Sequence, residues 1–252
     1  MKKNQNIAKQ TAVRVFAFTA LMFSGISSAT VIQFETNFGN FDVNLYDQTT
    51  PVTVANFLAY INAGDYSNSI VHRSEPGFVI QGGGFAFANT WPATAIAANP
   101  AVTNEPVYSN VRGTIAMAKL GGNPNSATNQ WFINIVDNSQ ALDPQNGGFT
   151  VFGQVVNGGM AIIDQINNLP RYNQGGAFTS IPLQNFDVAN TPDATNLVII
   201  SSVQIIDTDT NSEAGLNKPL TTFTPSVPSS SGGGGSFGFS LIMLLGFLRK
   251  RQ

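Results

Sequence analysis

The sequence predicts a mainly β fold, a barrel or sandwich of short antiparallel strands capped by two helices. Three observations point there. Apolar and polar residues alternate over short runs, the period of a strand with one buried face. Glycine and asparagine divide those runs at moderate spacing, as turns do. Two stretches show the wider apolar spacing of an amphipathic helix.

The first run places Ile32 and Phe34 against Gln33 and Glu35. The second places Phe41, Val43 and Leu45 against Asp42, Asn44 and Tyr46. Asn37-Phe38-Gly39-Asn40 lies between them, so the pair reads as a β-hairpin. A helix follows, with Thr50 as N-cap, Pro51 in its first turn and Gly64 past its end. Val54, Phe57, Leu58 and Ile61 give it one buried stripe. Short apolar segments at 77–81, 113–118, 131–136 and 150–156 read as strands. A second helix over 160–169 would bury Ile162, Ile163 and Ile166 and stop at Pro170. A last strand spans 197–206, and residues 85–106 and 171–195 read as long loops.

Both ends read as processing segments around a single domain at 30–206. Residues 1–29 carry Lys2, Lys3, Lys9 and Arg14, an apolar run over 15–26, and Ser27-Ser28-Ala29. That is the pattern of a secretory signal peptide, the run being short for a membrane anchor. Residues 207–231 read as a flexible Pro/Ser/Thr linker. Residues 232–252 join a glycine run, an apolar stretch at 237–248 and Arg249-Lys250-Arg251.

Composition narrows the function. Without the two ends, the basic residues left are Arg73, Arg112, Lys119, Arg171 and Lys218, against all 14 acidic ones. So acidic a body argues against nucleic acid as a partner. Cysteine is absent and His72 is the one histidine, which excludes Cys/His zinc sites and cysteine nucleophiles. Neither a metal nor a cofactor is expected. A serine hydrolase would have to use His72, and no G-x-S-x-G elbow occurs. Gly82, Gly83 and Gly84 lack the Lys-Ser/Thr of a phosphate loop and read as structural.

Two long motifs remain. One runs from Val71-His72-Arg73 through Pro76-Gly77-Phe78-Val79-Ile80-Gln81-Gly82-Gly83. The other joins Gly113-Thr114-Ile115-Ala116-Met117-Ala118-Lys119 to Ser126-Ala127-Thr128-Asn129-Gln130-Trp131-Phe132-Ile133-Asn134. Together they resemble the cyclophilin family of peptidyl-prolyl cis-trans isomerases, its periplasmic bacterial branch in particular. Ala141-Leu142-Asp143 and Val151-Phe152-Gly153 extend the resemblance over 30–206. It implies an eight-stranded antiparallel barrel closed by two helices. It also implies a catalytic Arg73 supported by Gln81, and a proline pocket walled by Phe78, Phe132 and Leu142. Ala118, Lys119 and Gln130 would line the groove for residues before the proline. His72 matches a histidine flanking the arginine. Phe149 stands where the family has His or Tyr, and Val79 where it usually has Met.

Residues 232–252 resemble the GlyGly-type C-terminal sorting signal of exported Gram-negative proteins, with a simple inner-membrane anchor as the alternative. The resemblance implies transient membrane association, removal near the glycines, and delivery to the periplasm, cell surface or medium. The expected partners are proline-containing peptides and unfolded exported proteins, and the expected working unit is a monomer. Two readings of the domain stand side by side, an isomerase and a catalytically weak binding module or chaperone. Arg73 with a complete pocket separates them on sequence grounds.

Overall fold

The computed structural model describes residues 30–209, 212–213 and 215–222. The signal segment 1–29, the sorting segment 232–252 and most of the linker after 222 lie outside the described residues.

The hairpin forms as β1 (Val31–Thr36) and β2 (Gly39–Leu45), with Phe34 directly opposite Phe41. Their rings stack at 4.6 Å, and Phe34 meets Trp131 edge-on at 5.1 Å, so the hairpin seeds the main core. The helix α1 spans Pro51–Ala63 and ends on Gly64 in the left-handed conformation, φ 74°. Thr50 is at the N-cap position but its hydroxyl donates to the Tyr46 carbonyl instead. The free N–H groups of Val52 and Thr53 donate to the Glu105 carboxylate, at 3.3 and 2.8 Å. A carboxylate from a distant loop thus caps the positive end of the helix. The buried face of α1 is Thr53, Val54, Asn56, Phe57 and Tyr60, with Leu58 and Ile61 only half-buried beside it. Asn56 takes a buried place because its amide donates to the Thr128 carbonyl at 2.6 Å.

The chain continues through β3 (Ser69–Ile70), β4 (Arg73–Ser74), β5 (Val79–Gly82), β6 (Phe85–Ala86), β7 (Thr94–Ala95), β8 (Thr114–Met117) and β9 (Trp131–Asn134). The short helix α2 (Ser139–Leu142), β10 (Val151–Val156), α3 (Met160–Asn167), β11 (Arg171–Tyr172), β12 (Ile181–Pro182) and β13 (Ile199–Asp207) complete it. Ile163 and Ile166 of α3 are buried, while Ile162 is half-buried against the hairpin turn at Gly39.

The large sheet runs β4-β5-β9-β8-β10-β2-β1-β13-β3, with β6 and β7 beyond. Its first and ninth members belong to one extended segment. Ile70 pairs with Ile199 of β13, and Arg73 pairs with Gln81 of β5. Between them Val71 N–H donates to Val198 O and His72 N–H donates to Gln81 O, both at 3.1 Å. Residues 69–74 therefore act as one broken strand that closes an antiparallel barrel of eight.

The loops at 85–106 and 171–195 are less open than their polarity suggests. They carry β6, β7, β11 and β12 and pack on each other through Phe85, Trp91 and Phe178. With Ile70, Ile181, Leu183 and Leu197 they make a second core beside the barrel.

The linker expected at 207–231 is corrected over its first part. Asn44 donates to Ser212 O at 2.7 Å, Ser109 N–H to Pro219 O at 2.9 Å, and Thr221 N–H to Val107 O at 3.0 Å. Leu216 packs on the apolar cluster that holds Tyr46, Tyr108, Phe132 and Leu142. Apolar contact and backbone pairing outweigh the Pro/Ser composition of this stretch. Among the described residues, no helix is long and apolar enough to cross a membrane.

Candidate active site

The site follows from strand alternation. Ile80, Ile115, Met117, Trp131 and Ile133 point into the main core. Their neighbours Val79, Ala116 and Phe132 therefore point to the other face of the barrel and form a separate apolar cluster with Leu142. Register then sets a row across four strands. Arg73 lies opposite Gln81, Gln81 opposite Phe132, and Phe132 opposite Ala116.

A cleft of about 400 Å³ lies over this row. Arg73, Phe78, Val79, Gln81, Ala118, Lys119, Gln130, Phe132, Leu142 and Phe149 all line it. Of the eleven site residues expected from the sequence, His72 alone is not brought there. Next to Arg73 in an extended segment, it points to the opposite face. Its ring is fully buried, edge-on to Phe85 at 5.1 Å. The Ile70 carbonyl and the Gln130 side chain are near its nitrogens, but neither makes a hydrogen bond of good geometry. Burial, with the Arg73 charge beside it, pushes its pKa down to about 3, so it stays neutral. His72, grouped with the substrate-binding residues through its motif, thus stands apart from the cleft, in the place of a structural residue.

Arg73 is held from two sides. Its Nε donates to Glu75 Oε1 at 3.1 Å, with Nη2 also 3.1 Å from that oxygen. Its Nη1 donates to Gln81 Oε1 at 3.3 Å. Gln81 Nε2 donates in turn to Gln130 Oε1 at 2.8 Å. Burial lowers the Arg73 pKa and Glu75 opposes that shift, leaving a guanidinium charged at any working pH. Glu75 shows itself in the sequence only by standing two residues after an arginine in an acidic chain.

The glycines keep the support close. A Cβ on Gly82 would lie 2.6 Å from Trp131, one on Gly83 2.5 Å from Asn129 O, and one on Gly84 2.8 Å from Gln130 Cδ. Gly82 thus lets the Trp131 ring approach the backbone closely, and Gly84 leaves room for Gln130.

The apolar wall is Phe78, Phe132 and Leu142, with Phe149 edge-on to Phe132 at 5.7 Å. A buried polar chain fixes it. Asn138 donates to both Phe78 O and Asn134 Oδ1, at 2.9 and 2.8 Å. Asn110, through its backbone and side chain, donates to Asp143 Oδ1 beside Leu142. Lys119 Nζ donates to Asn146 O at 2.9 Å and to Gly148 O, and stands 4.7 Å from the Phe149 ring centre. Burial pushes its pKa down to about 8. Leu120, Gly121, Gly122, Ser126, Thr128, Gln145 and Asn146 complete the lining, and as common surface residue types they carry no signal of their own in the sequence. Among the described residues, no group of three or more His, Cys, Asp or Glu could hold a metal ion.

The site sets an apolar pocket beside a fixed guanidinium. Comparison with known proteins defines its class. The family model described as cyclophilin type peptidyl-prolyl cis-trans isomerase/CLD matches residues 31–191, and the chain belongs to that family of enzymes. It is 37% identical to peptidyl-prolyl cis-trans isomerase A of Dickeya dadantii over 209 residues, 82% of this chain and 99% of that protein. It is 40% identical to peptidyl-prolyl cis-trans isomerase B of Escherichia coli over 143 residues, 55% of this chain and 85% of that one. Among solved structures it resembles a cyclophilin type isomerase of Cryptosporidium parvum, with a TM-score of 0.52 at 23% identity. That likeness covers 71% of this chain and 98% of the other and concerns the fold alone. A second structure of the same Cryptosporidium parvum protein was determined in the presence of the dipeptide Ala-Pro.

Proposed function

We propose that the cleft accelerates rotation about X–Pro bonds by favouring the twisted amide, with Arg73 as its catalytic residue. Resonance sets the barrier at roughly 20 kcal/mol, while cis and trans differ by only about 1 kcal/mol. No bond breaks and no proton must leave. The protein has to hold the proline ring, fix the flanking chain, and favour a pyramidal prolyl nitrogen. Phe78, Phe132 and Leu142 offer the apolar pocket. A guanidinium has five N–H donors, and Glu75 and Gln81 engage only some of them. The rest can meet the nitrogen lone pair that appears once resonance is lost. Such a contact exists only in the twisted state, so it lowers the barrier and not merely the binding energy. The observation that carries this reading is the row Arg73, Gln81, Phe132, which sets a fixed cation beside the pocket.

The test is a proline tetrapeptide assay coupled to a conformer-selective protease. Arg73→Ala is expected to lower kcat/KM about a hundredfold, the loss of on the order of 3 kcal/mol typical of one such donor. A well-folded Arg73→Ala with near-wild-type rates overturns the mechanism.

The same reading places the enzyme among exported proteins, acting on unfolded clients there. Its support is the charge and apolar pattern of residues 1–29 and 232–252. Intact mass of the protein from its native host is expected to begin near Thr30 and end near Gly232. A species that keeps 237–252 in the inner-membrane fraction would make that tail a permanent anchor.

A further inference from the structure

We propose that Lys119 makes the cleft selective for proline peptides carrying a carboxylate two or three residues from the proline. The inference rests on the isomerase reading and deepens it to a substrate class. The body of this protein is acidic, with 14 carboxylates in the whole chain. Arg73 pairs with Glu75, Arg112 with Asp164 and Lys218 with Glu213. Arg171 is exposed to water and donates to the Asn167 carbonyl. Lys119 is different. It is 9% exposed, yet among the described residues it pairs with no carboxylate. Its ammonium meets two backbone carbonyls and the face of Phe149.

A cation taken out of water without a counter-charge is unfavourable, and dipoles compensate it only in part. The cleft that Lys119 lines offers no acidic side chain to it, since the other lining groups are neutral apart from Arg73. Lys119 thus leaves in the cleft a positive charge that no carboxylate among the described residues neutralises, in a body that is otherwise acidic. A substrate carboxylate would complete the pair where the protein does not.

The place of that carboxylate follows from the geometry. Lys119 Nζ lies 4.7 Å from the Phe149 ring centre, and that ring lies 5.7 Å from Phe132 in the pocket wall. Extended peptide advances about 3.3 Å per residue, so the ammonium stands within about three residues of a proline held against Phe132, and a side chain on the second or third residue can reach it.

The experiment compares tetra- and pentapeptides with Glu or Gln at the second or third residue before the proline, and the same pair placed after it. The readout is the Glu/Gln ratio of kcat/KM within each protein, so a change in absolute rate does not enter. At low salt the wild type is expected to prefer Glu about two- to fivefold at one of these positions, the size of an ion pair at the edge of a cleft. The ratio should fall toward one at about 1 M salt. Lys119→Gln should abolish it and Lys119→Arg should keep it. A wild-type ratio near one at every position, or the same ratio in Lys119→Gln, overturns the proposal. If none of these peptides is isomerised, the isomerase reading has failed. The Glu/Gln ratio of calorimetric binding constants then decides the selectivity by the same criteria.

Discussion

Gln81 accepts from Arg73 through Oε1 and donates to Gln130 through Nε2, so one amide sets both the guanidinium and the next side chain along the cleft. An amide can do this because it has a donor end and an acceptor end. Gln81→Leu keeps the bulk and removes both. The expected result is a fall in kcat/KM of about tenfold, smaller than for Arg73→Ala because Glu75 still holds the guanidinium. Unchanged circular dichroism with this loss would place Gln81 as a positioning residue. A Gln81→Leu as active as wild type would mean that Glu75 alone suffices.

Gly83 has φ +78°, and a Cβ there would meet Asn129 O at 2.5 Å and Trp131 Cδ1 at 2.8 Å. Gly83→Ala therefore combines backbone strain with overpacking, on the order of 3 kcal/mol together. For a domain of this size that is roughly 6–12 °C in Tm. Calorimetry on the purified variant measures it directly.

His72 ties stability to pH. Its pKa is about 3 in the folded protein against an ordinary 6.5. Below 6.5 the unfolded chain takes a proton that the folded one refuses. Stability is therefore complete above about 6.5 and falls as the pH drops toward 3. At 1.36 kcal/mol per unit, the loss at pH 5 is about 2 kcal/mol. Urea midpoints at pH 7 and pH 5 are expected to differ for the wild type and to converge in His72→Phe. An equal pH effect in both proteins would assign it to the carboxylates.

The segment 212–222 should contribute to the domain rather than merely follow it. A protein ending at 222 is expected to be more stable than one ending at 209 by about 2–3 kcal/mol, given the burial of Leu216 and the backbone pairing to 107–109. Denaturant unfolding of the two truncations compares them. Identical midpoints would restore this stretch to the linker.

Much of the site was legible because strand alternation is written in the residues. Ile80 and Gln81, or Trp131 and Phe132, could be assigned to opposite faces, and both motifs are long. Elements of two residues such as Ser69–Ile70 and Arg73–Ser74 were not legible, since a period needs more than one repeat to show. Adjacency misled for His72. A motif groups neighbours in sequence, whereas an extended chain sends them to opposite sides. Composition misled for 212–222. Leu216 was a single apolar signal, and the cluster it packs on, with Tyr46 and Tyr108, lies far away in the chain, as does the backbone of Tyr108 that pairs with Leu220. The lobe of 85–106 and 171–195 was hidden similarly, its aromatic residues being split between two segments.

The broken strand at 69–74 has a bearing on the order of assembly. Arg73 lies on the segment that joins the two edges of the sheet, and one of those edges is β13, contributed by residues about 130 positions later. Contacts that distant require closing a long loop and form slowly. A chain emerging from a ribosome thus carries Arg73, Gln81 and Phe132 long before Ile199 exists to seal the barrel beside them. Catalytic competence is in this way tied to the arrival of the last strand, and an unfinished chain carries the motifs of an isomerase without yet being one.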